Sequence, residues 1–286
     1  MSTMLEVTVL RDNVAARADL RAGHGFALLA CVPGGSFLLD TGDSDDTWTN
    51  ADTLGVELTQ VRALVLSHGH YDHTNGLPEL MARLGDLRII AHPAAFGLRW
   101  STAGGMHPIG PPLTGAELEG MGGRVECSVD PVEVLPGVRT TGEVPPVAGP
   151  GPSAPHLLAE RAGQRVPDDF ADDLSVLVEV GAATVVLTGC AHAGLVNTAA
   201  RAEELARRPP AAIIGGTHLA SEPEGAIAAV ADELYRQGVR TLVPMHCSGE
   251  RGAALLARHF PGEVLRAGTG SIISVATDGS LTTRTA

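Results

Sequence analysis

Apolar residues along this chain fall into short runs and stripes that repeat in two blocks. The first block opens with strand-like segments at Glu6–Leu10, Phe26–Cys31 and Ser36–Asp40, the last two separated by the turn Pro33-Gly34-Gly35. Ala63-Leu64-Val65-Leu66 is continuous rather than alternating, the pattern of a strand covered on both faces. Leu77, Leu80, Met81 and Leu84 then keep the i, i+3, i+4, i+7 spacing of one buried helical face, and Arg88–Ala91 returns as a strand. The second block repeats the theme. Leu174–Val180 and Thr184–Leu187 predict strands, Leu195–Arg207 a helix and Ala211–Ile214 another strand. A helix with Ile227, Val230, Ala231 and Leu234 on one stripe, a strand at Thr241–Val243 and a short helix at Gly252–His259 complete it.

Strands and helices repeated in two blocks predict an α/β fold of two sheets packed together with helices outside. Residues 1–286 read as one domain, with halves at about 1–100 and 171–286. Between them, residues 101–170 are rich in Gly and Pro, as in Pro145-Pro146-Val147-Ala148-Gly149-Pro150-Gly151-Pro152. An excursion of loops capping a site is expected there, in preference to a linker between separate domains.

Composition narrows the function classes. Hydrophobic residues make up 44% of the chain and aromatics only 3%, so Leu, Val, Ile and Ala must fill the core. The formal net charge of −13 argues against nucleic acid or an anionic membrane as the main partner. It leaves room for a small, anionic substrate, because bound divalent ions invert the local field. No apolar run approaches the roughly 18–20 residues that span a bilayer, and no basic segment followed by an apolar one opens the chain. Cys31, Cys127, Cys190 and Cys247 form no CxxC pair, so disulfides are not expected and a reducing cytoplasm is the expected compartment. A homodimer is compatible with all of this.

The chemistry concentrates in His68-x-His70-x-Asp72-His73, directly after the buried strand. A tight turn after a strand points alternate side chains the same way, so His68 and His70 can grip one metal while Asp72 and His73 face another. Imidazole and carboxylate suit zinc, and also iron or manganese. His218, in Gly215-Gly216-Thr217-His218, follows a strand at the same end and is a candidate proton donor or anion contact, or simply a buried ring. His24, in Gly23-His24-Gly25, precedes a strand and is a candidate for substrate binding. His92, His107, His156 and His259 read as loop or surface residues, and Asp172-Asp173 as a cap or turn.

The string His68-x-His70-x-Asp72-His73 after Leu64-Val65-Leu66-Ser67, with Leu38-Leu39-Asp40-Thr41-Gly42 upstream, resembles the signature of the metallo-β-lactamase superfamily. Leu187-Thr188-Gly189-Cys190-Ala191-His192-Ala193-Gly194, Gly215-Gly216-Thr217-His218-Leu219 and Met245-His246-Cys247-Ser248-Gly249 follow in order. The full set is similar to the subgroup of methylpterin ribofuranosylaminobenzene-phosphate synthases and their bacterial relatives, over nearly the whole chain. The resemblance implies an αββα sandwich of two mixed sheets with a dinuclear site at one edge. It implies that His68 and His70 hold a first metal, and that Asp72, His73 and His246 hold a second. Asp40 would then hold the outer ring nitrogen of a bound histidine, unless it is a plain turn former before Thr41-Gly42.

Two departures matter. Many superfamily members carry a metal-bridging Asp in a Thr-Gly-Asp string; here the string is Thr188-Gly189-Cys190. No histidine ahead of Leu174 completes the first metal site, and His192 is the substitute that the subgroup's pattern suggests. Cys190 reads either as a thiolate ligand or as a small buried residue at a strand end.

With no P-loop, dinucleotide fingerprint or nucleophile elbow in the sequence, two divalent ions are the expected catalytic apparatus. A metallohydrolase with Asp72 and His218 as catalytic groups is the first expectation. A pterin-type synthase or lyase, iron-dependent redox chemistry and a metal-binding sensor without turnover are the alternatives.

Overall fold

The computed structural model describes residues 3–149 and 151–286, so Pro150 of the Pro/Gly-rich string lies outside the described residues. Among the described residues the largest sheet has eight strands in the order Leu281–Thr285, Ser271–Ala276, Thr3–Arg11, Ala27–Val32, Gly35–Leu39, Val61–Val65, Arg88–Ala91, Arg124–Cys127. A second has seven, in the order Glu263–Val264, Thr241–Met245, Ala212–Gly216, Ala183–Thr188, Ser175–Val180, Val138–Thr140, Glu133–Leu135. Both mix parallel and antiparallel pairs.

Why the run Ala63–Leu66 is apolar throughout is now visible. Ala63 and Val65 point into the core shared by the two sheets, beside Leu39, Val176 and Val185. Leu64 and Leu66 point the other way, under Leu77, Leu80 and Met81 of the helix Leu77–Leu84. Full burial of a leucine side chain is worth about 1.5–3 kcal/mol, so neither face tolerates a polar replacement cheaply. The helices Leu195–Ala206, Glu224–Arg236 and Gly249–His259 cover the outer face of the second sheet through Ala199, Ile227, Leu234 and Leu256. The layers are therefore helix, sheet, sheet, helix, as expected.

The excursion corrects the expectation of loops. It carries the helix Gly115–Gly120, three of the strands named above and a separate four-stranded sheet: Gln164–Pro167, Leu157–Arg161, Arg99–Ser101 and His107–Pro108. Its strands have two to five residues, too short for a hydrophobic period to show in the sequence. Pairing Arg124–Cys127 and Glu133–Leu135 onto the main sheets covers edges that would otherwise be open.

Strand direction places the site. Gly35–Leu39, Val61–Val65 and Arg88–Ala91 run parallel, as do Ala183–Thr188, Ala212–Gly216 and Thr241–Met245. Asp40, the His68–His73 string, Cys190, His192, His218 and His246 all follow the carboxyl ends of these strands, where α/β sheets bind ligands.

Candidate metal centre

The chain leaves its strands through sharp turns. Asp40, Ala191, His218 and His246 have φ of 63°, 57°, 51° and 51°, a left-handed conformation uncommon for residues other than glycine. Such strain costs on the order of 1–3 kcal/mol per residue and persists only where the surroundings over-determine it. Gly69 is required for a different reason: a Cβ there would stand 1.9 Å from the Ala95 carbonyl oxygen. After His70 the chain makes one helical turn, Tyr71–Thr74, so Asp72 and His73 project from a helix rather than from alternate positions of an extended turn.

Hydrogen bonds set the tautomers. Ser67 N–H and Oγ–H donate to the two oxygens of Asp40, each at 2.7 Å. With its only hydrogen committed, Ser67 Oγ accepts from His68 Nδ1 at 2.9 Å. His73 Nδ1 donates to Asp40 Oδ2 at 2.7 Å, and His246 Nδ1 to Asn13 Oδ1 at 2.9 Å. The Nε2 lone pairs of His68, His73 and His246 therefore face inward. Asp40, expected either to hold a histidine or to form a turn, does both.

The inward nitrogens test whether a cation fits. His73 Nε2 and His246 Nε2 face each other at 3.2 Å, a gap that either a proton on His73 or a cation held by both rings fills. Two imidazoles bound at about 2.0–2.1 Å with tetrahedral angles stand about 3.3 Å apart. His192 is buried with both ring nitrogens unpartnered, and its ring centroid is 4.9 Å from His68 and 5.1 Å from His70. One ligand atom each from His68, His70 and His192 lies within 4.8 Å of the others, and the same holds for His24, Asp72 and His246. The donors fit divalent-ion binding.

The electrostatics agree. Burial holds His68 and His192 well below the usual histidine range and His70 down to about 4, so these rings keep their lone pairs. Burial would lower His73 as well, yet the carboxylates of Asp40 and Asp72 outweigh it and lift the ring to about 9. Burial likewise opposes the charge on Asp72, but His73 and His246 hold its carboxyl well below the usual range. The field here favours a positive charge.

His24, 60% exposed at its side chain, lies 3.3 Å from Asp72 Oδ2. Cys190 Sγ is 3.2 Å from His73 Nε2, and His218 packs its ring 4.2 Å from His192. All three line a cavity of about 270 Å³ together with His70, Asp72 and His246. His259 pairs with Glu224 on the surface. His107 and His156 are exposed as expected, but both line that cavity, brought there by the small sheet. His92 lies in a loop, as expected, but is buried there, its ring accepting from Ala94 N–H and meeting Glu143 at 3.0 Å.

Several supporting residues escaped the sequence reading. Asp172 and Asp173, read as a cap or turn, are both buried. They accept from the Gly69 and Ala193 N–H groups at 2.8 and 2.9 Å, clamping both histidine turns. Burial pushes Asp173 up to about 7. Arg99, with no exposed side-chain surface, pairs with Asp168 at 2.9 Å and Asp172 at 2.6 Å. Phe170 stacks on His192 with centroids 4.2 Å apart, and Asp12 accepts from His246 N–H at 2.7 Å. These partners are remote in sequence from the motifs they support.

A synthase of Methanocaldococcus jannaschii, 7,8-dihydropterin-6-methyl-4-(beta-D-ribofuranosyl)-aminobenzene-5'-phosphate synthase, is 25% identical over 289 residues, 93% of this chain and 95% of its own. The crystal structure of a metal-dependent hydrolase of the beta-lactamase superfamily is 26% identical, with a TM-score of 0.81 over 95% of this chain and 99% of that one. Zinc-bound PqqB from Methylobacterium extorquens shares the fold alone, at 15% identity and a TM-score of 0.54 over 92% of this chain and 98% of its own. The family model of the metallo-beta-lactamase superfamily matches residues 20–246. That span takes in most of both sheets and runs from just before His24 to His246, and the chain belongs to the metallo-beta-lactamase superfamily.

Proposed function

We propose that this chain is a metallohydrolase that uses two divalent ions, zinc or alternatively iron or manganese, on a small anionic substrate, phosphorylated or carboxylated. His68, His70 and His192 hold one ion; Asp72, His73 and His246 hold the other, with His24 beside them. The observation that carries this reading is the convergence of buried ring nitrogens: one each from His68, His70 and His192 within 4.8 Å of the others, and His73 Nε2 facing His246 Nε2 at 3.2 Å. Bound divalent ions polarise a scissile bond and bring the pKa of a bound water to about 7.

The chain's own groups do the rest. Asp72 lines the cavity and, as a carboxylate, orients a nucleophile by accepting its hydrogen bond. His218, after the strand Ala212–Gly216 of the second sheet, reaches the same cavity and serves as the proton donor to a leaving group. The excursion supplies Ser101, His107, Ile109, His156 and Leu157 to the wall, so it selects the substrate. His24, exposed at the mouth, contacts the substrate's anionic group.

A second reading, a pterin-type synthase, is favoured by the name of the relative from Methanocaldococcus jannaschii. One experiment separates them. The metal-reconstituted protein is given a panel of phosphomonoesters, phosphodiesters, lactones and thioesters. Metal-dependent release of product supports the hydrolase. Stoichiometric metal with no hydrolysis of any member favours the synthase, and no bound metal after reconstitution overturns both.

A further inference from the structure

Cys190 and Cys247, which the proposed function does not use, stand beside His218 in one corner of the cavity. Cys190 Sγ, Cys247 Sγ and a ring nitrogen of His218 lie within 4.8 Å of one another, and all three residues line the cavity. His218 Nδ1 is buried and has no hydrogen-bond partner. The left-handed backbone at His218 aims its own N–H at Cys247 Sγ, 3.1 Å away. Cys247 also packs where only glycine leaves room: a Cβ on Gly216 would stand 2.7 Å from its sulfur.

We propose that Cys190, Cys247 and His218 form a third metal-binding position, of two sulfurs and one nitrogen, that takes a soft divalent ion such as cadmium or excess zinc. Its donor set differs in kind from the histidine and carboxylate donors of the proposed pair. Thiolates draw soft ions, whereas imidazole and carboxylate accept harder ones. Three donors leave the fourth tetrahedral position open to the cavity. An ion held here takes up a His218 lone pair and withdraws that ring from proton transfer, so it inhibits without displacing the pair.

The test titrates the zinc-loaded protein with cadmium, counting bound zinc and cadmium by elemental analysis after dialysis. Ultraviolet absorbance is followed for sulfur-to-cadmium charge transfer. One cadmium per chain is expected on top of the retained zinc, with the absorbance rising in step. Cys247→Ser and His218→Asn are expected to weaken cadmium binding tenfold or more while keeping their zinc. Asn suits the left-handed backbone at 218, so that variant keeps the test open if the serine variant fails to fold. Cadmium binding with charge transfer in a protein that holds no zinc still supports the site and counts only against the metal pair. Replacement of zinc one for one, undiminished absorbance in Cys247→Ser, or loss of zinc together with cadmium in both variants overturns the proposal.

Discussion

Asp40 Oδ2 lies 2.7 Å from His73 Nδ1, and neither side chain has any exposed surface. Through Ser67 the same carboxylate also orients His68, so one acid on one strand end directs histidines at two positions. The left-handed backbone at Asp40 is tolerated by Asn, which makes Asp40→Asn a clean removal of charge. Its metal affinity is expected to fall by about 10–100-fold, measured by competition with a chelator. An unchanged affinity would reduce Asp40 to a turn former.

Elemental analysis of the purified or reconstituted protein is expected to find about two divalent ions per chain, as in other two-metal sites. His68→Ala and His73→Ala should lose metal and activity together, whereas His259→Ala should keep both, because that ring only meets Glu224 on the surface. His156→Ala should keep its metal, with any change confined to substrate affinity, since this ring lines the cavity wall. Metal loss in His156→Ala or His259→Ala would mean that the ligand set lies elsewhere.

His192→Ala should empty the position shared with His68 and His70 and leave the other largely filled. Cys190→Asp should be tolerated, because Cys190 Sγ stands 3.2 Å from His73 Nε2 and a carboxylate there can bind zinc at about 2.0–2.2 Å. Metal counts for the two variants decide the matter. A His192→Ala protein that retains both ions would remove His192 from the centre.

Arg99 pairs with both Asp168 and Asp172 where none of the three side chains is more than 1% exposed. Arg99→Met strands two buried carboxylates, and breaking such a group costs about 3–5 kcal/mol. Thermal unfolding should show the loss. A melting temperature within a degree of wild type would mean that water reaches the acids.

Gly69→Ala should destabilise the protein and weaken metal binding at once, because the added methyl collides with the Ala95 carbonyl inside the His68–His70 turn. Overpacking of this kind costs about 1–3 kcal/mol. Calorimetry and metal analysis on one sample would check both effects, and a normal value in either would show that the turn can shift.

The fold was legible because its signals are local. The continuous run Ala63–Leu66 and the stripe Leu77, Leu80, Met81, Leu84 express burial through spacing of a few residues, and both elements are present. Boundaries moved where a turn decided them: the last helix starts at Gly249 rather than Gly252, after a 3-10 turn at His246–Ser248. The excursion was misread as loops because strands as short as His107–Pro108 are held by pairing with Arg99–Ser101, not by their own pattern.

The same division runs through the site. By itself the sequence determined that histidine and carboxylate donors stand in one tight string after a buried strand, and where on the chain the other donors follow. Those are statements about neighbours along the backbone. Only the tertiary structure decided that Asn13 orients His246 across 233 positions, that Asp172 clamps Gly69 across 103, and that Phe170 lies flat on His192. Hydrogen bonds and ring stacking act over a few ångströms of space, and which remote residues come that close is set by how the two sheets pack.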